Sequence, residues 1–466
     1  MSRIMTNVSA LIAARVLNDN TNALTKSLQR LSTGYRINTG SDDPSGLIAS
    51  ENLRGDIAAV KSALANGERA SSVVSTAEGA LNEVSAKLID LKGLVEAAAS
   101  SGGLTQDEID ANQTQVDSII TSINRIASET SFQGMKLLDG SLGITASATG
   151  GTTNVTDIDV RNFKQAGTTD FALNIDLKDS ATVASAGATA DTTLTAQTWE
   201  ITGSKGTAVF TFQSASQADI SAAINAMSAV TGVKVSGDAL VSVAYGSDQF
   251  VQVKHISGTS TALTAGNGTD GTDASLTVNG SAATINGYDV SVRTETMDLT
   301  FRVTDNLLGA TATSEVITLK ADGGATFQLS PNIGLTGQET LSIPSVSAYH
   351  LGQQDTGFLS DITTGQSKNL NDDAGSALEV VNAAIKQVAT LRGRLGSFIN
   401  DTVQTTMNSL NVQLENVSAA ESAIRDTDFA TETSNMMRNQ ILVSAAKSAL
   451  ALANQSPASV LSLLNG

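Results

Sequence analysis

Apolar side chains near both ends of the chain recur at alternating intervals of three and four residues, the spacing that places them on one face of a long helix. Tracts of this kind occupy 17–35, 74–95, 109–126 and 378–424. In the first tract the repeating positions are Leu17, Thr21, Leu24, Leu28, Leu31 and Tyr35. The pattern predicts long helices at both ends of the chain, paired as a coiled coil or a helical bundle.

The regular spacing is interrupted at two places. Leu395, Ile399, Val403 and Met407 follow one another at intervals of four, with no interval of three between them. Such a stutter locally unwinds a supercoil. At 100–103 the sequence SSGG separates the second tract from the third, which predicts a break between two helices.

Between about 142 and 370 the periodicity changes from helical to alternating. Short runs such as FALNIDL, AVFTFQ and LTFRVT are separated by Gly, Asn, Asp, Ser and Thr, which is typical of strands joined by turns. One helical pattern at 218–230, ADISAAINAMSAV, is expected to cover one face of a small sheet. The predicted fold class is therefore α+β, with β-rich outer domains inserted between long terminal helices.

The outermost helices pose a packing problem. Residues 1–40 and 430–466 each supply a single helix that is amphipathic or apolar nearly all round. Two such helices side by side cannot cover their own apolar faces, so alone they should be poorly ordered. If many copies stack, ordering and assembly become one event. Because a head-to-tail contact that does not close yields an open helical polymer, the sequence favours a filament.

The segment LQRLSTGYRINTGSDDPSG joins the first tract to the next helix. Its adjacent Asp42 and Asp43 could serve as paired catalytic carboxylates or metal ligands. Asp43 instead precedes Pro44, which puts an N-cap acceptor before a residue suited to the first helical position. Gly34 stands where the first helix should stop, and Arg36 can pair with one of these carboxylates or with a neighbouring subunit. We therefore predict that these residues cap helices.

Composition and charge narrow the functional classes. The chain has 466 residues, a formal charge of −18 and no cysteine. A nucleic-acid partner is disfavoured because binding a phosphate backbone generally needs a basic face, and anionic membrane surfaces are disfavoured for the same reason. Without cysteine the chain has no disulfide, thiolate nucleophile or thiolate metal site.

Signals for membrane insertion and for the standard secretory route are not apparent. The N-terminal MSRIMTNVSALIAARVLNDN lacks an uninterrupted apolar region followed by a small-residue cleavage site. The most hydrophobic segment, at 441–453, is too short to span a membrane and carries Lys447. We expect this segment to be buried against protein.

Other candidate sites in the sequence are also better explained by structural roles than by catalysis or metal binding. GNGTDG at 266–271 satisfies G-x-G-x-x-G, but no helical pattern follows it, so a turn is predicted. Asp270 and Asp273 could bind calcium there, yet the ligand spacing is incomplete and solvated turn carboxylates are favoured. His255 and His350 do not lie in an HExxH motif, and no G-x-S-x-G is present, so neither a metalloprotease nor a serine hydrolase is indicated.

The two ends of the chain together resemble bacterial flagellin, the subunit of the flagellar filament. The resemblance covers roughly residues 1–140 and 371–466. It rests on LQRLSTGYRINTGSDDPSG (28–46), EGALNEV (78–84), TSFQGMKLLDG (130–140), AIRDTDFATETSNMMRNQIL (423–442) and ANQSPASVLSLL (453–464).

The resemblance implies a division of the chain into terminal, helical and outer parts. The terminal coiled-coil domain would combine 1–43 with 428–466, and the helical domain would combine 44–178, including a β-hairpin at 142–177, with 369–427. A variable β-rich region of one or two outer domains would span 179–368. Contacts between subunits would involve the terminal helices, at positions such as Leu24, Leu28, Leu31, Ile441, Leu442 and Leu450.

The function that the resemblance implies is structural. The chain would polymerise with itself into an extracellular filament for swimming, without enzymatic activity, cofactor or metal. Implied partners are a flagellar secretion chaperone, the filament cap and the hook-associated proteins, with export through the flagellar type III apparatus. Alternatives are a hook–filament junction protein, or a flagellin with an adhesin role in its outer domain. Trp199 and four tyrosines form a poor aromatic platform for sugars.

One property of some flagellins is expected to be weak or absent here. In flagellins detected by toll-like receptor 5, the helix after the EGALNE signature carries Gln-Arg and then Leu, and the next helix carries a Glu. The corresponding residues are Ile89, Asp90, Leu94 and Gln115, so only the leucine is kept. Replacing a guanidinium by a carboxylate reverses the charge and removes a bidentate donor.

Overall fold

The computed structural model describes residues 7–99, 105–149, 154–163, 170–188, 194–237, 239–258, 266–294, 297–309, 314–320, 323–354 and 356–464. The break predicted at 100–103 lies outside these ranges. The helices are α1 (Val8–Thr33), α2 (Pro44–Ala99), α3 (Gln106–Glu129), α4 (Gln217–Ala226), α5 (Ser228–Thr231), α6 (Asp305–Leu308), α7 (Leu370–Ser397), α8 (Thr405–Arg425) and α9 (Phe429–Leu464). Within the described ranges, no helix combines the length and apolarity that crossing a membrane requires.

The strands occupy the middle of the chain. They are β1 (Ser131–Phe132), β2 (Met135–Lys136), β3 (Ala146–Thr149), β4 (Val155–Phe163), β5 (Phe171–Asp179), β6 (Val183–Ala188), β7 (Leu194–Gly203), β8 (Thr207–Ala215), β9 (Val233–Ser236), β10 (Ala239–Tyr245), β11 (Val251–Ser257), β12 (Gly266–Asn267), β13 (Ser275–Val278), β14 (Ser281–Ala282), β15 (Thr284–Asn286), β16 (Asp289–Arg293), β17 (Met297–Val303), β18 (Ser314–Leu319), β19 (Ala325–Gln328), β20 (Gln338–Leu341), β21 (Gly352–Gln353) and β22 (Gly357–Phe358). Long helices at the two ends and a β-rich middle confirm the predicted fold class.

The chain forms two compact units. The first unit comprises Met1–Gly67, Leu329–Asn332 and Gln404–Gly466, and so contains α1, α9, α8 and the beginning of α2. The second unit comprises Glu68–Gln328 and Ile333–Val403.

The helical core of the second unit is built on the seam of α2. Its predicted positions are completely shielded from solvent: Val74, Ala77, Leu81, Val84, Leu88, Leu91 and Val95. They share one apolar cluster with side chains of α3 and α7, such as Ile123 and Val388. Burying a leucine or valine side chain of this kind contributes about 1.5–3 kcal/mol, so the continuous seam is a main source of stability in this unit.

A β-hairpin packs on this helical core, but its position in the sequence differs from the prediction. Strands β19 and β20 pair antiparallel, and Ala325, Phe327 and Leu341 join the helical cluster. The segment predicted for this role, 142–177, instead supplies β4 and β5 to outer sheets. The reason is that alternating apolar runs identify strands but not the partner against which each strand packs.

The β-rich region contains two apolar clusters, one inserted in the other. The outer cluster unites the sheets ordered β14-β13-β5-β18-β3 and β15-β16-β17-β4, drawing on 144–181 and 274–319. The inserted cluster unites β6-β10-β9 and β12-β11-β7-β8 with α4, drawing on 184–253. Ile220 and Ile224 of α4 are buried in that cluster, which confirms the predicted helix over a sheet. The two β clusters together thus extend over 144–319, whereas the outer β-rich region expected from the sequence spans 179–368.

The stutter near residue 400 appears as a π-helical segment at Phe398–Gln404. Intervals of four exceed the roughly 3.6 residues of an α-helical turn, so successive intervals of four would carry the seam off the packed face. A π turn closes hydrogen bonds from i to i+5 and takes up an additional residue. The wider turn lets both Leu395 and Val403 remain buried.

Candidate assembly joint

The first helix ends at Gly34. Its φ of 77° lies in the left-handed region, and its amide donates to the carbonyl oxygen of Arg30 at 2.9 Å. Glycine adopts this conformation without the steric cost that a Cβ imposes. The chain therefore leaves α1 in a sharp turn instead of continuing as a helix.

Immediately after Gly34 the chain meets the connection between α8 and α9. Tyr35 and Asp426 form an antiparallel bridge, in which the Arg36 amide donates to the Arg425 carbonyl at 2.7 Å. The Thr427 amide donates to the Gly34 carbonyl at 2.9 Å. Two segments far apart in sequence are thus joined by main-chain hydrogen bonds. We call residues 34–46 and 421–432 the joint.

Arg36 completes this crossing with its side chain. Its guanidinium Nη2 donates to the main-chain carbonyl of Ile424 at 2.6 Å. The sequence left two partners open for Arg36, a carboxylate of the same loop or a neighbouring subunit. Within the subunit, the hydrogen bond goes to the end of α8 instead.

Asp42 and Asp43 have separate roles in the joint. Asp42 forms an ion pair with Lys26 of α1 at 2.9 Å, and its carboxylate accepts from the amide and hydroxyl of Thr39. Asp43 accepts from the Gly46 amide and the Ser45 hydroxyl, both at 3.0 Å, which is the geometry of an N-cap on α2.

The electrostatics of both carboxylates favour the ionised form. The Lys26 ammonium, with help from Thr39, holds the pKa of Asp42 far below its usual range, although the side chain is only 8% exposed. The hydrogen bond from the Gly46 amide lowers the pKa of Asp43. Each of these partners donates to a carboxylate and so fixes the path of the chain, and the two aspartates act as anchors and not as an acid–base pair.

Arg425 is one residue of the joint that sequence reasoning missed. Its guanidinium carbon lies 4.5 Å from the centroid of the Tyr35 ring, and its Nη1 lies 3.4 Å from a Glu51 oxygen and 3.9 Å from a Glu421 oxygen. The side chain is only 17% exposed, so these contacts are partly desolvated and correspondingly stronger. The signal available in the sequence was an arginine at the predicted end of a helix, but its partners lie hundreds of residues away.

Gly46 is a second residue whose role was not predicted. A Cβ at this position would clash with the carboxylate of Asp43 and would lie 2.7 Å from the Cδ1 atom of Ile37, which is itself 2% exposed. We expect Gly46→Ala to disturb the cap of α2 at a cost of about 1–3 kcal/mol, the usual range for overpacking. The measurement is the critical concentration for polymerisation, which should rise.

Gly55→Ala is the matched control for this prediction. Gly55 lies in the same helix, and a Cβ there would have no neighbour within 4 Å. Both substitutions gain helix propensity of about 1 kcal/mol, so the difference between them isolates the contacts with Asp43 and Ile37. Equal behaviour of the two variants would contradict the prediction.

The terminal helices α1 and α9 pack on each other but leave much apolar surface open. Ser27, Val443 and Ala446 are buried, and the Asn7 side chain donates to the Ala453 carbonyl at 2.7 Å. The predicted contact positions divide into two groups. Half-buried are Leu24, Leu31 and Leu450, whereas Leu28, Ile441 and Leu442 are exposed, Ile441 to 69%.

The exposed group continues along both helices. Other large apolar side chains that face outward are Val8, Leu11, Ile12, Val16, Phe429, Met437 and Leu452. An apolar surface of this extent on paired helices marks a site of association with another molecule.

Comparison with known proteins decides which assembly this is. Residues 4–142 match the family described as the bacterial flagellin N-terminal helical region, and residues 378–464 match the bacterial flagellin C-terminal helical region. A flagellin from Clostridium tyrobutyricum is 31% identical over 451 residues, which covers 96% of this chain and 98% of that protein. The chain belongs to the bacterial flagellin family.

Other flagellins are similar along their whole length. A flagellin from Salmonella muenchen is 29% identical, and flagellin B from Vibrio cholerae is 28% identical, with 99% of each chain covered in both cases. The chain is accordingly a structural subunit that polymerises into the flagellar filament for motility, and it is not an enzyme. Flagellin filaments are extracellular.

Solved structures similar to this flagellin include FliC from Burkholderia pseudomallei and the flagellar junction protein FlgL from Legionella pneumophila. The first is 15% identical, with 72% of this chain and 99% of that chain covered and a TM-score of 0.24. The second is 13% identical, with 81% and 99% covered and a TM-score of 0.28. Because both scores are low, neither likeness bears on the choice between a filament subunit and a junction protein.

The positions compared with receptor-binding flagellins all lie on the helical part of the second unit. Ile89 and Asp90 are exposed on α2, and Asp90 pairs with Lys87 at 3.2 Å. Gln115 is exposed on α3, whereas Leu94 is half-buried against the helical core.

The remaining candidate sites of this flagellin are structural. GNGTDG does not form the predicted turn: Gly266–Asn267 are strand β12, and Thr269 bridges to Ser185. Such an extended path needs small residues, since a Cβ on Gly271 would meet main-chain atoms of Gly246 and Thr182. Asp273 accepts hydrogen bonds from Ser247 and the Gly287 amide. Burial opposes its ionisation, but these bonds outweigh burial and lower the pKa of Asp273. Among the described residues, no three His, Asp or Glu side chains are arranged to hold a metal ion.

The two histidines and the tryptophan are also accounted for by packing. His350 is exposed and its Nδ1 lies 2.9 Å from the Ser347 hydroxyl. His255 lies against Trp199, with ring centroids 4.5 Å apart. Trp199 is fully buried and donates to Gln197, so it does not offer a surface platform for sugars.

Proposed function

We propose that α1 and α9 reach their final order only in the filament, and that the joint fixes the path by which they leave α2 and α8. The observation that carries this proposal is the row of exposed apolar residues along α1 and α9 in the single subunit. Their burial by neighbouring copies would supply the free energy that orders the two helices.

We further propose how the chain is divided in the assembled filament. Residues 1–43 and 428–466 would form the inner core, and residues near 44–142 and 325–427 would form the helical layer around it. The two β clusters at 144–319 would face solvent. The negative charge of the chain supports this arrangement, because like-charged outer surfaces keep polymers dispersed.

Hydrogen exchange in monomer and filament tests the proposed ordering. We expect amides of residues 8–33 and 429–455 to become protected by roughly a hundredfold on polymerisation, because their exchange in the monomer requires only local opening. Amides of the α2 seam at 74–95 serve as the internal control and should be protected in both states. Strong protection of the terminal helices in the monomer would contradict the proposal.

The route to the filament and the partners on that route are proposed from the flagellin family. We infer export through the flagellar type III apparatus, with a secretion chaperone, the filament cap and the hook-associated proteins as partners. The absence of cysteine supports this route, since a disulfide would obstruct threading of an unfolded chain.

We also propose that activation of toll-like receptor 5 is weak or absent. Asp90 presents a carboxylate where responsive flagellins carry an arginine, and Gln115 lacks the charge of their glutamate. In a reporter-cell assay the purified monomer should have low potency, and the triple variant Ile89→Gln, Asp90→Arg, Gln115→Glu should gain potency. Full potency of the unaltered protein would refute this.

A further inference from the structure

The hairpin of β19 and β20 ends in a neutral loop that presents the apolar side chain of Ile333 to solvent. Ile333 is 92% exposed, the highest fraction among the large apolar side chains that the structure describes. A single exposed isoleucine needs no explanation by itself. The loop is nevertheless well held, because Leu329 at its base is buried and the Phe327 ring lies 6.0 Å from that of Phe398.

The second unit also contains a cleft of about 890 Å³. One wall is α7, and the other includes strands β4, β15, β16 and β17 with the loop that precedes β21. Its apolar lining includes Ile158, Val290, Phe301, Val346, Leu351 and Leu391. Clefts of this size bury most of the surface of a drug-sized ligand.

Five charged side chains that line the cleft form ion pairs with one another. Arg394 lies 3.2 Å from Asp159, which Arg161 also approaches at 3.6 Å. Arg302 lies 3.4 Å from Asp289. An ionic ligand would have to compete with these pairs, whereas a neutral apolar segment would not. The loop SPNIGLTG at 330–337 carries no charged residue.

We propose that the hairpin loop of one subunit inserts Ile333 into the cleft of a neighbouring subunit in the filament. The loop and the cleft are different surfaces of one subunit, so a contact between them in two neighbouring subunits is heterologous. A heterologous contact that does not close produces an open helical polymer. The occupant of the cleft is thus a second copy of this chain, and the contact adds to the burial of the terminal helices.

Paired cysteines test this contact directly, because the natural chain has none. Tyr349 lines the cleft and is 70% exposed. In filaments of the variant Ile333→Cys, Tyr349→Cys, a short thiol cross-linker should produce a ladder of linked subunits, and the dispersed monomer should not. The matched control is Ile333→Cys with Val209→Cys, an exposed position on β8. Filaments whose linkage does not exceed this control would overturn the proposal.

A second measurement remains informative if the double variant fails to assemble. Ile333→Asp should raise the critical concentration for polymerisation about tenfold, because burying an isoleucine contributes more than the 1.4 kcal/mol that a tenfold change requires. Ile333→Val should leave it nearly unchanged, as should Ile256→Asp on β11. Normal assembly of Ile333→Asp, or binding of a carboxylated sugar in the cleft of intact filaments, would assign the cleft to another occupant and overturn the proposal.

Discussion

Removing residues 1–40 and 430–466 is expected to abolish filament formation while shifting the melting temperature of the helical core by less than about 3 °C. The removed helices carry most of the exposed large apolar side chains outside the β region, including Leu11 and Ile441. The retained core keeps the completely buried seam of α2 and its partners in α3 and α7. Assembly and folding therefore depend on different sets of apolar contacts.

The matched control is a deletion of 89 residues, 183–271, from the outer region. Thr182 and Thr272 are bridged by main-chain hydrogen bonds of 3.0 and 3.2 Å, so residues 183–271 can be excised and the ends joined by a short linker. This variant loses the inserted β cluster but keeps α1 and α9, and we expect it to polymerise. Light scattering and electron microscopy of seeded monomers measure both variants. Polymerisation of the terminally truncated protein would refute the role assigned to the terminal helices.

Replacing Gly34 by valine is expected to impair filament formation or alter filament shape far more than it destabilises the monomer. A Cβ at Gly34 would meet no atom within 4 Å, so the effect is conformational and not steric. The left-handed region costs an ordinary L-residue about 1–2 kcal/mol, and a β-branched residue is disfavoured further. Since α1 contributes little to the helical core of the second unit, this conformational cost should destabilise the joint and not the core.

Two companion variants sharpen the test at Gly34. Asn tolerates the left-handed conformation, so Gly34→Asn should assemble almost normally. Asp43→Ala removes the N-cap of α2, worth about 1 kcal/mol, and should resemble Gly34→Val. The measurements are filament morphology and the thermal melting of the monomer. A Gly34→Val monomer that melts far earlier yet assembles normally would contradict the assignment.

The sequence was sufficient wherever a local pattern has one structural outcome. The seam of α2 was readable because burial recurs with the helical period, and the irregular spacing around Ile399 corresponds to the π-helical segment. Asp43 before Pro44 likewise located the start of α2 to the residue. Each of these depends on neighbours within a few turns of the same helix.

Tertiary structure decided every feature that depends on a distant partner. The helical core takes its hairpin from 325–341 and not from 142–177. Apolar and polar residues alternate in both segments, so only their packing in the folded protein distinguishes them. Arg425 meets Tyr35 and Glu51 across the joint, a contact that no spacing in the sequence reveals. By itself the sequence determined the helices, the β-rich middle and the exposed apolar ends; folding in three dimensions determined which strands pack on the helices and how the two ends are joined, since those choices depend on side-chain contacts between segments far apart in the chain.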